Sequence, residues 1–177
     1  SDILVAVDDP HNVNQLSAAA QAKGVTLRVL IEVNIGMDRC GTEPGAPTLE
    51  LAQHILKSKA LRFEGMMGYE GHTVANPSLT ERKIATEKSM TLLVDTKHLL
   101  EENGIPVKIM SGGGTGTHKI TGVFPEMTEV QAGSYVFVDA TEPEPSGSGR
   151  REVPLTPKHT AGLVGMWEEH GKGRIGL

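Results

Sequence analysis

The sequence has a single cysteine, Cys40. One thiol excludes an internal disulfide framework and fits a reducing cytoplasm. Basic charge is not in excess: the formal net charge is -5, from 17 Lys and Arg against 22 Asp and Glu. That balance argues against the electrostatic footprint of a nucleic-acid binder. No apolar run approaches the roughly 20 residues that a membrane-spanning helix needs. Nothing at Ser1 has the basic start and apolar middle of a secretory signal. What is present is a composition ordinary for a soluble globular protein, 38% hydrophobic with 21 Gly. At 177 residues the chain is long enough for one domain with a core.

Ile3 to Val7 is a continuous apolar run, as expected of a strand covered on both faces. Asp8, Asp9 and Pro10 then turn the chain into a helix that ends near Lys23 and Gly24. Leu27 to Val33 reads as a second strand, Pro47 to Lys57 as a helix and Leu61 to Met67 as a third strand. Ser78 to Asn103 reads as a long helix, with Ser78 and Glu81 as a capping box and Gly104 as its stop. Val107 to Met110 is the fourth strand; Val130 and Tyr135 to Val138 make the fifth.

Strands alternating with helices imply an α/β fold of parallel βα units with right-handed crossovers. An open sheet and a (β/α) barrel both satisfy this order, and five strands fall short of a barrel's usual eight. In either architecture, functional residues gather where the strands end. Residues 1–140 form the α/β domain on this reading. Residues 141–150 form a linker of low complexity, rich in Glu, Pro, Ser and Gly. Residues 151–177 are a basic, Gly-rich tail of uncertain structure.

The strand ends carry unusual sequences. After the second strand comes Glu32-Val33-Asn34-Ile35-Gly36-Met37-Asp38-Arg39-Cys40-Gly41. Its two Gly allow tight turns that place the Arg39 guanidinium over the strand ends. Cys40 reads as a small buried residue rather than a nucleophile, since no partner His is evident. After the third strand, Tyr69-Glu70-Gly71-His72 offers Tyr69 and His72 as pocket residues, His being a proton carrier near neutral pH.

After the fourth strand comes Ser111-Gly112-Gly113-Gly114-Thr115-Gly116-Thr117. Successive Gly free backbone N–H groups to converge on an anion, and the two Thr add hydroxyls. No Gly-Lys-Ser/Thr follows, so it is not a Walker loop. No convincing helix follows at once, so it is not a dinucleotide fingerprint; a phosphate on a small ligand suits it better. Tyr135 could add a hydroxyl to the same anion.

Taken together, these loops resemble the D-threonine aldolase and D-serine dehydratase family in order and approximate spacing, from about Asp2 to Ala140. The resemblance implies part of a TIM-like barrel of the alanine racemase type, an incomplete one. It implies pyridoxal 5′-phosphate, with Arg39 facing the ring nitrogen and Tyr69 beside the cofactor. The loop from Gly112 through Gly113, Gly114, Thr115 and Gly116 to Thr117 would hold the phosphate. The implied activity is retro-aldol cleavage of a D-3-hydroxyamino acid, with Tyr69 and His72 as catalytic candidates. A D-serine dehydratase-like or amino-acid racemase-like enzyme, a non-catalytic phosphate-binding module and a structural remnant are the alternatives.

Two departures stand beside the resemblance. The family's cofactor lysine sits on the first barrel strand, upstream of anything here, and none of the ten Lys of this chain has a comparable setting. Full-length relatives also use a divalent metal, whose ligand motif is not recognised; His159 and His170 are isolated. A smaller departure follows His72: where aldolases often carry a second His, this chain has Ala75. The chain therefore reads as the later barrel strands followed by a foreign or rearranged tail. The open edges of a partial barrel imply a homo-oligomer; the single cysteine fits a cytoplasmic setting, the resemblance implies a small amino acid as substrate, and charge and hydropathy exclude nucleic acid and membrane as partners.

Overall fold

Apolar residues at Val5 and Val7, at Val29 and Ile31, and at Phe63 and Met66 supply strands with a buried face. A computed structural model describes residues 3–134. Its elements are β1 (Leu4–Val7), α1 (Pro10–Ala22), β2 (Leu27–Glu32), α2 (Ala46–Leu56), β3 (Leu61–Met67), α3 (Gly71–Val74), α4 (Leu79–Glu102), β4 (Ile109–Gly112), α5 (His118–Thr121) and β5 (Glu129–Val130).

The five strands are all parallel and stand side by side in chain order, β1-β2-β3-β4-β5. A doubly wound sheet reverses its strand order at a switch point. This sheet does not, so it is an arc of barrel. Val13 of α1, Leu51 and Ile55 of α2, and Met90, Leu93 and Leu100 of α4 share one core cluster with Val29, Ile31, Phe63 and Met66. Each large side chain so buried contributes about 1.5–3 kcal/mol. Alternate strand positions point to opposite faces, so Arg28, Leu30 and Glu32 of β2 turn away from that cluster.

β3 carries a bulge: Val29 pairs with Phe63 and Leu30 with Gly65, leaving Glu64 as the extra residue. Gly65 is required there. A Cβ on it would lie 2.0 Å from the Ile109 carbonyl oxygen. Buried Glu64 is surrounded by Arg28 at 3.1 Å, Arg62, and Lys108 at 3.8 Å. Burial pushes its carboxyl up, but the Arg28 and Arg62 guanidinium groups outweigh that and hold it below its ordinary range.

Asp9 caps α1 by accepting the Asn12 N–H at 2.9 Å. Half of the expected capping box on α4 forms. Ser78 accepts the Glu81 N–H at 3.3 Å, but the Ser78 N–H goes to Asn76 Oδ1 at 3.0 Å. β4 ends two residues later than its apolar run, because Ser111 and Gly112 keep pairing with β3 and β5. The short α3 and α5 have no apolar period to announce them, and α5 corrects the expectation that no helix follows the glycine loop at once. Tyr135 to Val138, the linker and the tail lie outside the described residues.

Candidate functional site

Parallel strands bring the carboxyl ends of β1 to β4 to one side of the sheet, and with them Asp8, the Arg39 loop, Tyr69-Glu70 and the glycine loop.

The Arg39 loop is built around Asn34. Its Oδ1 accepts the N–H groups of Gly36 and Asp38, both at 3.1 Å, and its Nδ2 donates to Asp38 Oδ1 at 2.9 Å. This lets Asp38 adopt a positive φ of 54°, which Asp tolerates through local hydrogen bonding. Thr42 N–H returns to the Glu32 carbonyl at 2.9 Å, closing the loop. From β1, Asp8 Oδ2 accepts the Gly41 N–H at 2.8 Å.

Arg39 projects from this loop with its guanidinium carbon 5.9 Å from the centroid of the Tyr69 ring. That is within cation–π reach. Its Nη2 lies 3.9 Å from Glu32 Oε1. Neighbouring Cys40 first, then Glu32 and Tyr69, hold the guanidinium above its ordinary value. Cys40 is exposed, not buried as its type suggested. Its thiol donates to Glu32 Oε1 at 2.9 Å, and that bond pushes the thiol up although Arg39 pulls it down. A protonated thiol is a poor nucleophile.

Tyr69 and Glu70 face opposite ways. Tyr69 packs over the glycine loop: a Cβ on Gly114 would lie 2.8 Å from the Tyr69 hydroxyl. Glu70 is fully buried beneath the loop. Its Oε2 accepts the Gly113 N–H at 3.1 Å, and its Oε1 accepts the hydroxyls of Thr117 at 2.7 Å and Thr121 at 2.6 Å. Thr117 Oγ1 in turn accepts the Gly114 N–H at 2.9 Å. The expected convergence of loop N–H groups on one external anion is thereby corrected for Gly113 and Gly114, and also for Thr117, whose N–H goes to the Gly114 carbonyl at 3.1 Å. Gly113 and Gly114 donate inward, because Glu70 and Thr117 already occupy the concave side. Gly113 makes that turn at φ 76°.

Arg39, Tyr69, Gly114 and Thr115 line one open cavity of about 270 Å³, completed by Gln131, Gly133 and Ser134. His72 does not line it. Its ring packs against Gly36, where an added Cβ would lie 3.1 Å away, and its Nε2 is 3.5 Å from Ser89 Oγ on α4. Of Arg39, Tyr69, His72 and Thr115, the structure brings three together. Gly112, Gly113, Gly116 and Thr117 are not among the residues that line it. Tyr135 lies outside the described residues. Gln131 fixes the loop from β5: its N–H reaches the Gly112 and Gly113 carbonyls at 2.9 and 2.8 Å, and its Nε2 donates to Ser111 Oγ at 2.9 Å.

Asp8, Asn34, Glu70 and Gln131 escaped the reading of the sequence. The available signal for Glu70 was the spacing of Thr117 and Thr121, four residues apart and so on one side of a helical turn. Among the described residues, no cluster of three or more His, Cys, Asp or Glu could hold a metal. No described helix is long and apolar enough to cross a membrane.

The sequence profile of the family described as alanine racemase, N-terminal domain, matches residues 1–141. The chain is 35% identical over 137 residues to the D-threonine aldolase of Arthrobacter sp, covering 77% of this chain and 36% of that one. It is 33% identical over 138 residues to the 3-hydroxy-D-aspartate aldolase of Paracoccus denitrificans (strain Pd 1222), covering 78% and 36%. The crystal structure of D-threonine aldolase from Filomicrobium marinum superposes with a TM-score of 0.75 at 35% identity, over 82% of this chain and 39% of that one. The chain thus spans about a third of the length of these relatives.

Proposed function

Because the chain belongs to the alanine racemase N-terminal domain family, we propose that its carboxyl-end cavity is the pyridoxal 5′-phosphate seat of a D-threonine aldolase-like lyase. The substrates would be small D-3-hydroxyamino acids. The observation that carries the reading is the single cavity shared by Arg39, Tyr69, Gly114 and Thr115. The aldolase relatives support the choice of chemistry.

The residues present suit the phosphate and the ring. Gly114 keeps the cavity wall flat where any Cβ would strike Tyr69. Thr115 and the outward side of the Gly112–Thr117 loop would hold the phosphate, and Tyr69 would flank the ring. Arg39, a cation that does not deprotonate, is assigned to the ring nitrogen. When bound, the cofactor supplies the electron sink for bond cleavage next to the amino carbon; the protein orients and tunes it. His72 is assigned a supporting part here, under the Arg39 loop, rather than contact with substrate.

The residues do not supply the amine that the cofactor needs. Among the described residues no Lys lines the cavity. Lys119 is exposed on α5, and Lys108 pairs with Glu64 beside the β3 bulge. The amine is therefore assigned to a segment or chain beyond the described residues. A homo-oligomer is part of the proposal; light scattering that shows a monomer at high concentration would count against it. The setting is taken as cytoplasmic, on the low cysteine count and the enzyme relatives.

Equilibrium dialysis against pyridoxal 5′-phosphate and against pyridoxal tests the reading. The chain is expected to retain the phosphorylated form at least about tenfold more tightly, the scale of a few charge-assisted hydrogen bonds. Equal retention of the two, or none, would overturn it.

A further inference from the structure

Glu70 is 0% exposed, and no described cation lies within ion-pair distance of it. A buried carboxylate is costly unless hydrogen bonds satisfy it. Three do: the Gly113 N–H, the Thr117 hydroxyl and the Thr121 hydroxyl. Glu70 is not among the residues that line the cavity. A carboxyl kept in the interior, satisfied by these bonds and turned away from the cavity, has the glycine loop as its main partner.

We propose that Glu70 is the positioning residue of the glycine loop, an internal hydrogen-bond acceptor around which the loop folds so that its other side receives a phosphate. This inference rests on the reading of the cavity as a phosphate-cofactor seat. Glu70 reaches the cavity wall through one intermediary: it accepts from the Thr117 hydroxyl, and Thr117 Oγ1 accepts the Gly114 N–H. On the opposite side of Gly114 stands the ring of Tyr69. Two consecutive residues, Tyr69 and Glu70, therefore grip the loop from its two sides. The inward donors of Gly113 and Gly114 are already engaged, so an anion meets the loop only from the Thr115 side.

The variants Glu70→Ala and Glu70→Gln separate this role from a general contribution to folding. Alanine leaves Gly113 N–H and two Thr hydroxyls without their acceptor. Glutamine keeps an oxygen for Gly113, and its NH2 donates to the Thr hydroxyls, which accept as readily as they donate. Hydrogen exchange of the Gly113 and Gly114 amides is measured without ligand. The ratio of pyridoxal 5′-phosphate to pyridoxal affinity is measured by dialysis. Glu70→Ala is expected to speed exchange roughly tenfold and to cut the affinity ratio by about as much, the scale of losing buried hydrogen bonds. Glu70→Gln is expected to restore both to within about threefold of the parent.

An unchanged ratio in Glu70→Ala, or an equal loss in Glu70→Gln, overturns the proposal. If Glu70→Ala does not fold, Thr121→Val removes one donor at a site away from the cavity. It is then expected to speed Gly113 exchange about threefold, and no change overturns the proposal. A parent chain that fails to distinguish pyridoxal 5′-phosphate from pyridoxal contradicts the cofactor reading. The exchange rates still decide whether Glu70 holds the loop.

Discussion

Asp8, at the carboxyl end of β1, accepts the Gly41 N–H at 2.8 Å and so ties the first strand to the loop that carries Arg39. The two residues are 33 positions apart, and the contact closes the Arg39 loop against the strand ends. Asp8→Ala is expected to weaken pyridoxal 5′-phosphate retention about threefold, as one exposed hydrogen bond that holds the Arg39 loop is lost. The thermal midpoint should move little, because Asp8 is exposed. A large fall in thermal midpoint with unchanged retention would show that Asp8 serves the fold instead.

Gly114→Ala tests the wall of the cavity. The added Cβ would lie 2.8 Å from the Tyr69 hydroxyl and 3.1 Å from Tyr69 Cε2. Tyr69 must then swing into the cavity or the loop must shift. Retention of pyridoxal 5′-phosphate is expected to fall more than about tenfold, while stability falls by about 1–3 kcal/mol, the usual cost of overpacking. Retention equal to the parent would mean that Gly114 does not bound the ligand.

How far the sequence reveals this arrangement depends on what each feature rests on. β3 is legible from end to end, because the apolar Leu61, Phe63, Met66 and Met67 stand between a polar turn and a Gly-rich loop. α4 is legible because Ser78 and Gly104 bracket it. Arg39, Tyr69 and Thr115 are legible as neighbours because parallel strands share a carboxyl end. The direction in which the loop amides point is not legible. It is decided by Glu70, whose burial depends on contacts with Gly113, Thr117 and Thr121, at least 43 residues away. The placement of His72 against Gly36 is likewise a tertiary contact, which neither residue's local sequence announces.

The Glu64 cluster gives a pH dependence. Its folded carboxyl is held below the ordinary 4.5. A depressed carboxylate contributes stability that is fully present above the unfolded value and is lost as pH falls through the folded one. Glu64→Gln is expected to destabilise by about 1–2 kcal/mol at neutral pH, since Arg28 and Arg62 lose their acceptor. Denaturant melts at a series of pH values should show the gap closing below about pH 4.5. A gap that stays constant down to pH 3 would exclude the ion cluster as its source.

Catalysis needs an amine that the described residues do not place in the cavity. The 177-residue chain with pyridoxal 5′-phosphate, a divalent metal and D-threonine is expected to release no acetaldehyde and glycine above background. Turnover that disappears in Lys119→Ala would make Lys119 the missing amine. Turnover that survives the substitution would assign the amine to another Lys or to a second copy of the chain.

The most direct test of the central claim is to map where the cofactor sits. Backbone amide shifts of the isotope-labelled chain are followed during titration with pyridoxal 5′-phosphate. The account predicts that the largest changes fall on Gly114, Thr115 and Gly116, with Arg39 and Tyr69 next. Inorganic phosphate alone should move the loop amides but not those around Arg39. Changes centred on the Arg28–Arg62–Lys108 cluster around Glu64, or no change at the glycine loop at saturation, would contradict it.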